Sequence, residues 1–325
     1  MQTFPAVNIS EPVNVNPNLF LYRRIYSCMN SKAVVIFLAK RSIELVLLFL
    51  LIVTLAFFVL RIVPSDPYVI VINSRMSPQM QTELRDLWGL DNSLLTQYVI
   101  YVKNVLSGNL GVSFYYGEEL FPLIIRRLLP TLVLTGPAVA AALLIDFLLE
   151  KKKKTALTGI IFYVVPFLWI GLLLIVFFSY HLHLFPQAGW KSIEVWEGPA
   201  PLITRILDVV HHLVLPCLVM IIWCFVGCIL VKANIQGIFQ KKPLFHPVVM
   251  TLLSAAVILF GLKVTETTFS WPGFNRAMLE AGVTYDYPLF LGAFIAAWAF
   301  GLVLALCIEI YYTILMEKSG PDRIT

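Results

Sequence analysis

The sequence predicts an all-α integral membrane protein with six transmembrane helices and an extracytoplasmic cap between the first and second. Three observations carry this reading. Hydrophobic residues make up 59% of the 325-residue chain and charged residues only 13%, whereas a soluble surface needs roughly a quarter charged. The charges collect in islands between apolar runs of about 20 residues, the length that crosses a bilayer as a helix with its backbone groups bonded internally. The basic islands also fall on alternate loops, which orients the chain in the lipid.

In chain order, residues 1–41 are a polar, Asn- and Pro-bearing cytoplasmic tail and pre-helix, and 42–325 form the membrane domain. The first span runs from Ser42 to Leu60 and stays as an anchor, being too long for a cleaved signal and lacking a small-residue cleavage site. Residues 61–129 are too polar to span but too rich in Leu, Tyr and Trp for a linker, so they fold as the external cap. Within it Ser77 and Pro78 open a helix that Trp88 and Gly89 close, and Asp91 to Leu106 forms a second, amphipathic helix. The second span covers Thr131 to Leu149, the third Thr155 to Tyr180 with Pro166 and Gly171 inside, and the fourth Leu213 to Val231. The fifth covers Pro247 to Phe260 and a few residues more, and the sixth Tyr287 to Leu315. Arg23, Arg24, Lys32, Lys40 and Arg41 precede the first span; Lys151 to Lys154 follow the second, Lys232, Lys241 and Lys242 the fourth, and Lys318 and Arg323 the sixth. All lie on one side, which predicts a multi-pass protein of the cell (cytoplasmic) membrane with both termini in the cytoplasm.

Several chemistries lack their residues. The five cysteines form no CxxC pair and read as packing residues. A net charge of +5 spread over loop ends gives no support for nucleic acid. No GxxxxGK[ST] loop is present, so no means of hydrolysing ATP is legible in this chain. No nucleophile-base set marks a hydrolase. Among isolated signals, Lys263 and Glu266 are spaced for a local ion pair, with a substrate site as the alternative. Asp146 and Glu309 read as carboxylates snorkelling to the cytoplasmic edge, or as a proton relay. His181, His183, His211 and His212 read as polar interfacial residues, with a metal site as the sharper alternative.

Longer motifs add a resemblance. Arg61-Ile62-Val63-Pro64-Ser65-Asp66-Pro67 resembles the R-x-x-P-G-D-P pattern that ends the first helix of oligopeptide/dipeptide ABC transporter permeases, with Ser65 for the glycine. Trp88-Gly89-Leu90-Asp91 and Ser107-Gly108-Asn109-Leu110-Gly111-Val112-Ser113 resemble the same family's external segment. Arg127-Leu128-Leu129-Pro130-Thr131-Leu132 is similar to the start of its second helix, and Pro166 to Leu174 to its third. Glu266-Thr267-Thr268-Phe269-Ser270-Trp271-Pro272-Gly273, with Arg276 and then Asp286-Tyr287-Pro288-Leu289, resembles its strongest signature.

The resemblance implies the B-type subunit of a type I ABC importer: a permease that shares an alternating-access pathway with a second permease. Two ATP-binding subunits carrying ATP and Mg, and an extracytoplasmic substrate-binding protein, complete the assembly. No cofactor is implied in this chain. Imported oligopeptides or dipeptides are the implied solute. Nickel or an oligosaccharide, or a non-pumping interaction protein on the same fold, are the alternatives. Arg61, Pro64, Asp66, Pro67, Gly89, Asp91 and Gly111 are the implied cap motif, although Pro64 to Pro67 alone equally make a helix-ending turn. Glu266, Trp271, Pro272, Gly273, Arg276 and Asp286 are the candidate extracytoplasmic gate, against an interfacial Trp belt as the bland reading. The cytoplasmic loop that docks on the ATPase in this family is reduced here to Lys232 to His246. Ala233, Ile235, Gly237, Ile238 and Phe239 are its candidate coupling residues, and the Lys151 to Lys154 run is a lipid-facing determinant or a second ATPase contact.

Overall fold

A computed structural model describes residues 31–62, 77–79, 82, 92–113, 115–150, 167–235 and 247–319. The elements are helical: α1 (Ser31–Ile62), α2 (Leu94–Leu106), α3 (Leu120–Glu150), α4 (Phe167–Leu174, continuing as a π-helical stretch Ile175–His181), α5 (Ile193–Glu197), α6 (Leu202–Ile235), α7 (Pro247–Thr268), α8 (Phe274–Thr284) and α9 (Tyr287–Ser319). Among the described residues there is no strand, only an isolated bridge between Val112 and Glu119.

Among the described residues, five helices are long and apolar enough to cross a membrane: Ala39–Phe58, Leu120–Leu149, Leu202–Lys232, Thr251–Thr268 and Tyr287–Leu315. These are the expected first, second, fourth, fifth and sixth spans. Of the third, residues 167–181 are helical, and 155–166, including Pro166, lie outside the described residues. Of the cap helix expected from Ser77 to Trp88, Pro78, Gln79 and Thr82 are helical and most of the rest lies outside the described residues.

Span ends differ from expectation more than span centres. α1 starts eleven residues early because nothing between Ser31 and Ser42 breaks a helix, the run holding neither Gly nor Pro. α3 starts at Leu120 rather than Thr131 and keeps Pro130 and Pro137 inside. Its charged outer turns are satisfied by tertiary partners, Arg126 with Glu118 and Arg127 with Glu280 at 2.8 Å. At 31 residues and 1.5 Å per residue, α3 is about 46 Å long, against a hydrocarbon layer of about 30 Å. Its first turns therefore project into the segment expected as cap.

The core is the packing of α3, α6, α7 and α9, where Leu134, Ala138, Met220, Cys224, Ile258, Leu262 and Tyr312 are buried. With no hydrophobic force between helices in lipid, close approach of backbones has to supply the cohesion. Gly261 does this against the indole of Trp223, and Gly227 against Ile258; a methyl group at either position would collide with that neighbour. Cys224 and Cys228 are packed in this core as expected, while Cys307 is exposed.

Candidate functional site

The loop between α7 and α9 builds the candidate gate from its own turn chemistry. α7 ends with Ser270 in the left-handed region (φ 51). The Trp271 N–H then returns to the Glu266 carbonyl at 2.9 Å and the Ser270 N–H to that of Thr267 at 3.4 Å, the paired bonds that close a helix C-terminus. This reversal carries Pro272 and Gly273 back over the last turn of α7. A Cβ on Gly273 would strike the Glu266 carboxylate, so only glycine allows the chain to pass there.

The same carboxylate opens the next helix. Glu266 is fully buried. Its Oε2 accepts the N–H groups of Asn275 (2.7 Å) and Arg276 (3.2 Å) in the first turn of α8, and its Oε1 accepts the Thr131 hydroxyl of α3 at 3.0 Å. An anion at a helix N-terminus is held by free N–H donors and by the helix dipole together. The expected Lys263–Glu266 ion pair does not form, because the turn delivers three donors to the carboxylate while Lys263 stays exposed.

Trp271 has no exposed surface, and its indole Nε1 donates to the Pro130 carbonyl at 2.8 Å. The interfacial-belt reading of Trp271 is thereby corrected: the ring is a buried tie between the gate turn and α3. The loop after α4 closes over it, with the Gly189 N–H donating to the Phe269 carbonyl at 2.9 Å and Trp190 edge-on to Trp271 at 6.4 Å.

α8 ends in a second left-handed residue, Tyr285 (φ 57), which delivers Asp286. Asp286 is fully buried and caps α9 by accepting the Leu289 N–H at 3.1 Å. Its other oxygen accepts the Ser113 hydroxyl and, at 3.0 Å, the Tyr115 N–H, so the segment between α2 and α3 is tied to the start of α9. Gly111 takes part with φ 89, its carbonyl accepting the Leu120 N–H at 2.9 Å.

One residue of this site was not singled out in the sequence. Glu280 accepts from Arg276 Nε at 3.2 Å, Arg127 Nη2 at 2.8 Å and the Tyr116 hydroxyl at 3.4 Å, joining α8, α3 and the segment between α2 and α3. Burial, then the Glu280 carboxylate, pushes the Tyr116 phenol above its ordinary pKa and keeps it a donor. The four-residue spacing of Arg276 and Glu280 is the local signal for one of these bonds. The guanidinium of Arg276 thus serves Glu280, and only its backbone N–H serves Glu266.

At the opposite end of the spans lie two buried charge clusters. Lys232 Nζ donates to Asp146 Oδ2 at 3.0 Å, and the Tyr312 hydroxyl donates to the same oxygen at 2.9 Å, joining α6, α3 and α9. Arg41 bridges Glu309 on α9 and its neighbour Glu44, each at 2.5 Å. Asp146 and Glu309 are therefore not snorkelling; both are buried with cationic partners, because the adjacent helices bring lysine and arginine within reach.

The other singled-out residues fall as follows. Arg61 closes α1, and Pro64, Asp66, Pro67, Gly89 and Asp91 lie outside the described residues. Ala233 and Ile235 continue α6 directly from Lys232, and Gly237, Ile238, Phe239 and the Lys151 to Lys154 run lie outside them. His211 bonds the Leu184 carbonyl at 2.7 Å, and His212 Nδ1 the Asp208 carbonyl at 2.8 Å. Among the described residues no three His, Cys, Asp or Glu side chains are grouped to hold a metal ion.

Comparison with known proteins fits this geometry. The family described as the N-terminal part of a binding-protein-dependent transport system membrane component matches residues 34–135. The chain is 28% identical to a di/tripeptide transport system permease protein of Pseudomonas aeruginosa, over 88% of this chain and 99% of that protein. The chain is therefore similar to permeases of the binding-protein-dependent transport type. The chain is also 24% identical to an oligopeptide transport system permease protein of Bacillus subtilis, over 86% of this chain and 97% of the relative. It is 25% identical to a dipeptide transport system permease protein of Escherichia coli, over 87% and 98%. The similarity to these relatives thus extends over most of the chain, beyond the matched residues 34–135.

Proposed function

We propose that this permease forms half of an ATP-driven pathway that carries dipeptides or short oligopeptides into the cell. A second permease supplies the other half. Two ATP-binding subunits, holding ATP and Mg, supply the energy, and an extracytoplasmic binding protein delivers the solute. The observation that carries the substrate class is the near full-length similarity to relatives named for di-, tri- and oligopeptide transport. The gate geometry supports the cycle: α8 lies between two tight turns with its apolar face packed on the last span, and the polar bonds that join it to α3 and Tyr116 are ones that a rigid-body shift can exchange for others. ATP and solute drive such a cycle only by binding its two states unequally.

The cytoplasmic side completes the proposal. Lys232, bonded to Asp146 and near Tyr312, holds the root of the segment that carries Ala233, Ile235, Gly237, Ile238 and Phe239. An ATPase pushing on that segment would act on α3 and α9 through this buried cluster. The test is reconstitution in proteoliposomes with the proteins that co-purify with the chain, followed by uptake of a labelled dipeptide with and without ATP. ATP-dependent uptake outcompeted by other peptides supports the reading. Uptake of nickel or an oligosaccharide in its place overturns the substrate class, and co-purification without any ATPase overturns pumping.

A further inference from the structure

We propose that α2 is a membrane-surface helix, seated in the lipid leaflet away from Lys40 and Arg41, with Leu95, Val99 and Leu106 against acyl chains. The argument begins with depth. Lys40, its side chain 67% exposed, marks one boundary of the hydrocarbon on α1. About 20 helical residues cross its ~30 Å, which puts the other boundary near residue 61. α2 meets α1 inside that boundary. The Thr54 and Tyr98 hydroxyls share a hydrogen bond of 2.6 Å, Tyr98 stacks on Phe58 at 5.8 Å, and Tyr101 packs on Phe57 at 5.2 Å. Val53 and, on α9, Leu291 and Ile295 complete the cluster. At 1.5 Å per residue, Phe58 and Val53 lie about 4 to 12 Å below the boundary, the depth at which an interfacial amphipathic helix buries its apolar face.

The faces of α2 agree with that depth. Tyr98, Tyr101 and Val105 pack toward α1 and α9, Gln97 is buried with its amide on the Asn92 carbonyl, and Thr96, Lys103 and Ser107 occupy a polar face. Between them lies a stripe spaced for one side of a helix, in which Leu95 is 74%, Val99 64% and Leu106 67% exposed. A groove of about 520 Å³ runs along this stripe, lined by Tyr98, Val99, Val102, Lys103, Leu106 and Ser107. At this depth the neighbour of an open apolar groove is hydrocarbon, and Lys103 beside it has the reach to place its charge in the headgroups. The external segment is thereby held by lipid as well as by its bond to Asp286.

The experiment incorporates a fluorescent amino acid, dansylalanine, at Val99, Leu95 or Thr96 of the full chain, purified with its accompanying subunits into phosphatidylcholine nanodiscs. With lipid carrying a nitroxide near the headgroup end of its acyl chain, the probes at Val99 and Leu95 lose most of their emission while aqueous iodide barely affects them. The probe at Thr96 shows the reverse. Quenching of Val99 and Leu95 by iodide would mean that the stripe faces water. Quenching by neither agent would mean that protein covers it. Either result overturns the proposal, and the paired positions guard against local misfolding at one of them.

Discussion

At Glu266 one carboxylate takes three donors from two helices, and the Thr131 hydroxyl that donates to it also accepts the Phe274 N–H at 3.4 Å. Replacing it with Ala leaves those donors buried and unpaired, and hydrogen bonds to a charged group contribute about 1.5–3 kcal/mol each. E266A should therefore lower thermal stability in detergent markedly. E266Q should cost less, because its amide oxygen can face the α8 amides while its NH₂ turns to the Thr131 oxygen. Equal losses would show that the charge alone matters. Trp271 calls for a conservative probe. Truncating a buried indole to Ala costs about 3–5 kcal/mol, so W271A confounds gating with folding. W271F keeps most of the ring and removes the bond to Pro130, and we expect near-normal protein levels with slowed uptake. Normal uptake would assign Trp271 to packing. The signature residues were legible through the resemblance of Glu266 to Gly273 to a family motif, since Trp at an interface and a helix-breaking Pro-Gly are by themselves ordinary. Their partners were not: Thr131 lies 135 residues from Glu266 and Ser113 173 from Asp286, and no local rule joins such pairs.

Among the elements, span centres were legible and span ends were not, for one physical reason. Hydropathy reports the part of a helix that lies in lipid, while charged or proline-bearing turns read as boundaries unless their tertiary partners are known. Arg127 and Pro130 were read as the start of α3, yet the helix passes through them because Glu280 and Trp271 supply the partners. α8, the helix of the proposed gate, is the case where this has consequences for transport. Glu280 joins α8 to α3 and to Tyr116 through partly exposed bonds, each contributing about 1 kcal/mol or less. E280A should therefore leave the melting temperature almost unchanged while releasing α8. The expected result is lowered peptide uptake with raised ATP turnover in the absence of solute, measured in the same proteoliposomes. Unchanged coupling would show that Glu280 only decorates the surface.

For the whole molecule, the polar contacts divide between the two ends of the spans. One end carries the Glu266, Glu280 and Asp286 junctions, and the other the Asp146 and Glu309 clusters. Removing one member of a buried ion pair costs about 3–5 kcal/mol, so D146A should reduce folded protein severely. The double variant D146L/K232M should recover much of that loss if the role is structural, and a membrane-level assay with a melting curve decides it. The coupling segment predicts an asymmetry. A loop as short as Lys232 to His246 offers about one helical turn of contact, interrupted by Gly237 and Pro243. Changing Ile235, Ile238 and Phe239 to Asp should lower ATPase stimulation only modestly, while comparable damage to the second permease abolishes it. Complete loss from this chain alone would refute the asymmetry.

The Arg41 cluster also bears on how the polypeptide is made. Arg41 and Glu309 are 268 residues apart, so the arginine of the first span leaves the ribosome long before its final partner exists. Glu44, one turn on, is made at almost the same moment and can neutralise it in the meantime. The first helix can thus insert with its charge shielded, and the arrival of the last helix exchanges a provisional contact for a permanent one. A chain stopped before Glu309 would stay in that provisional state, giving membrane quality control a means of telling an unfinished molecule from a complete one.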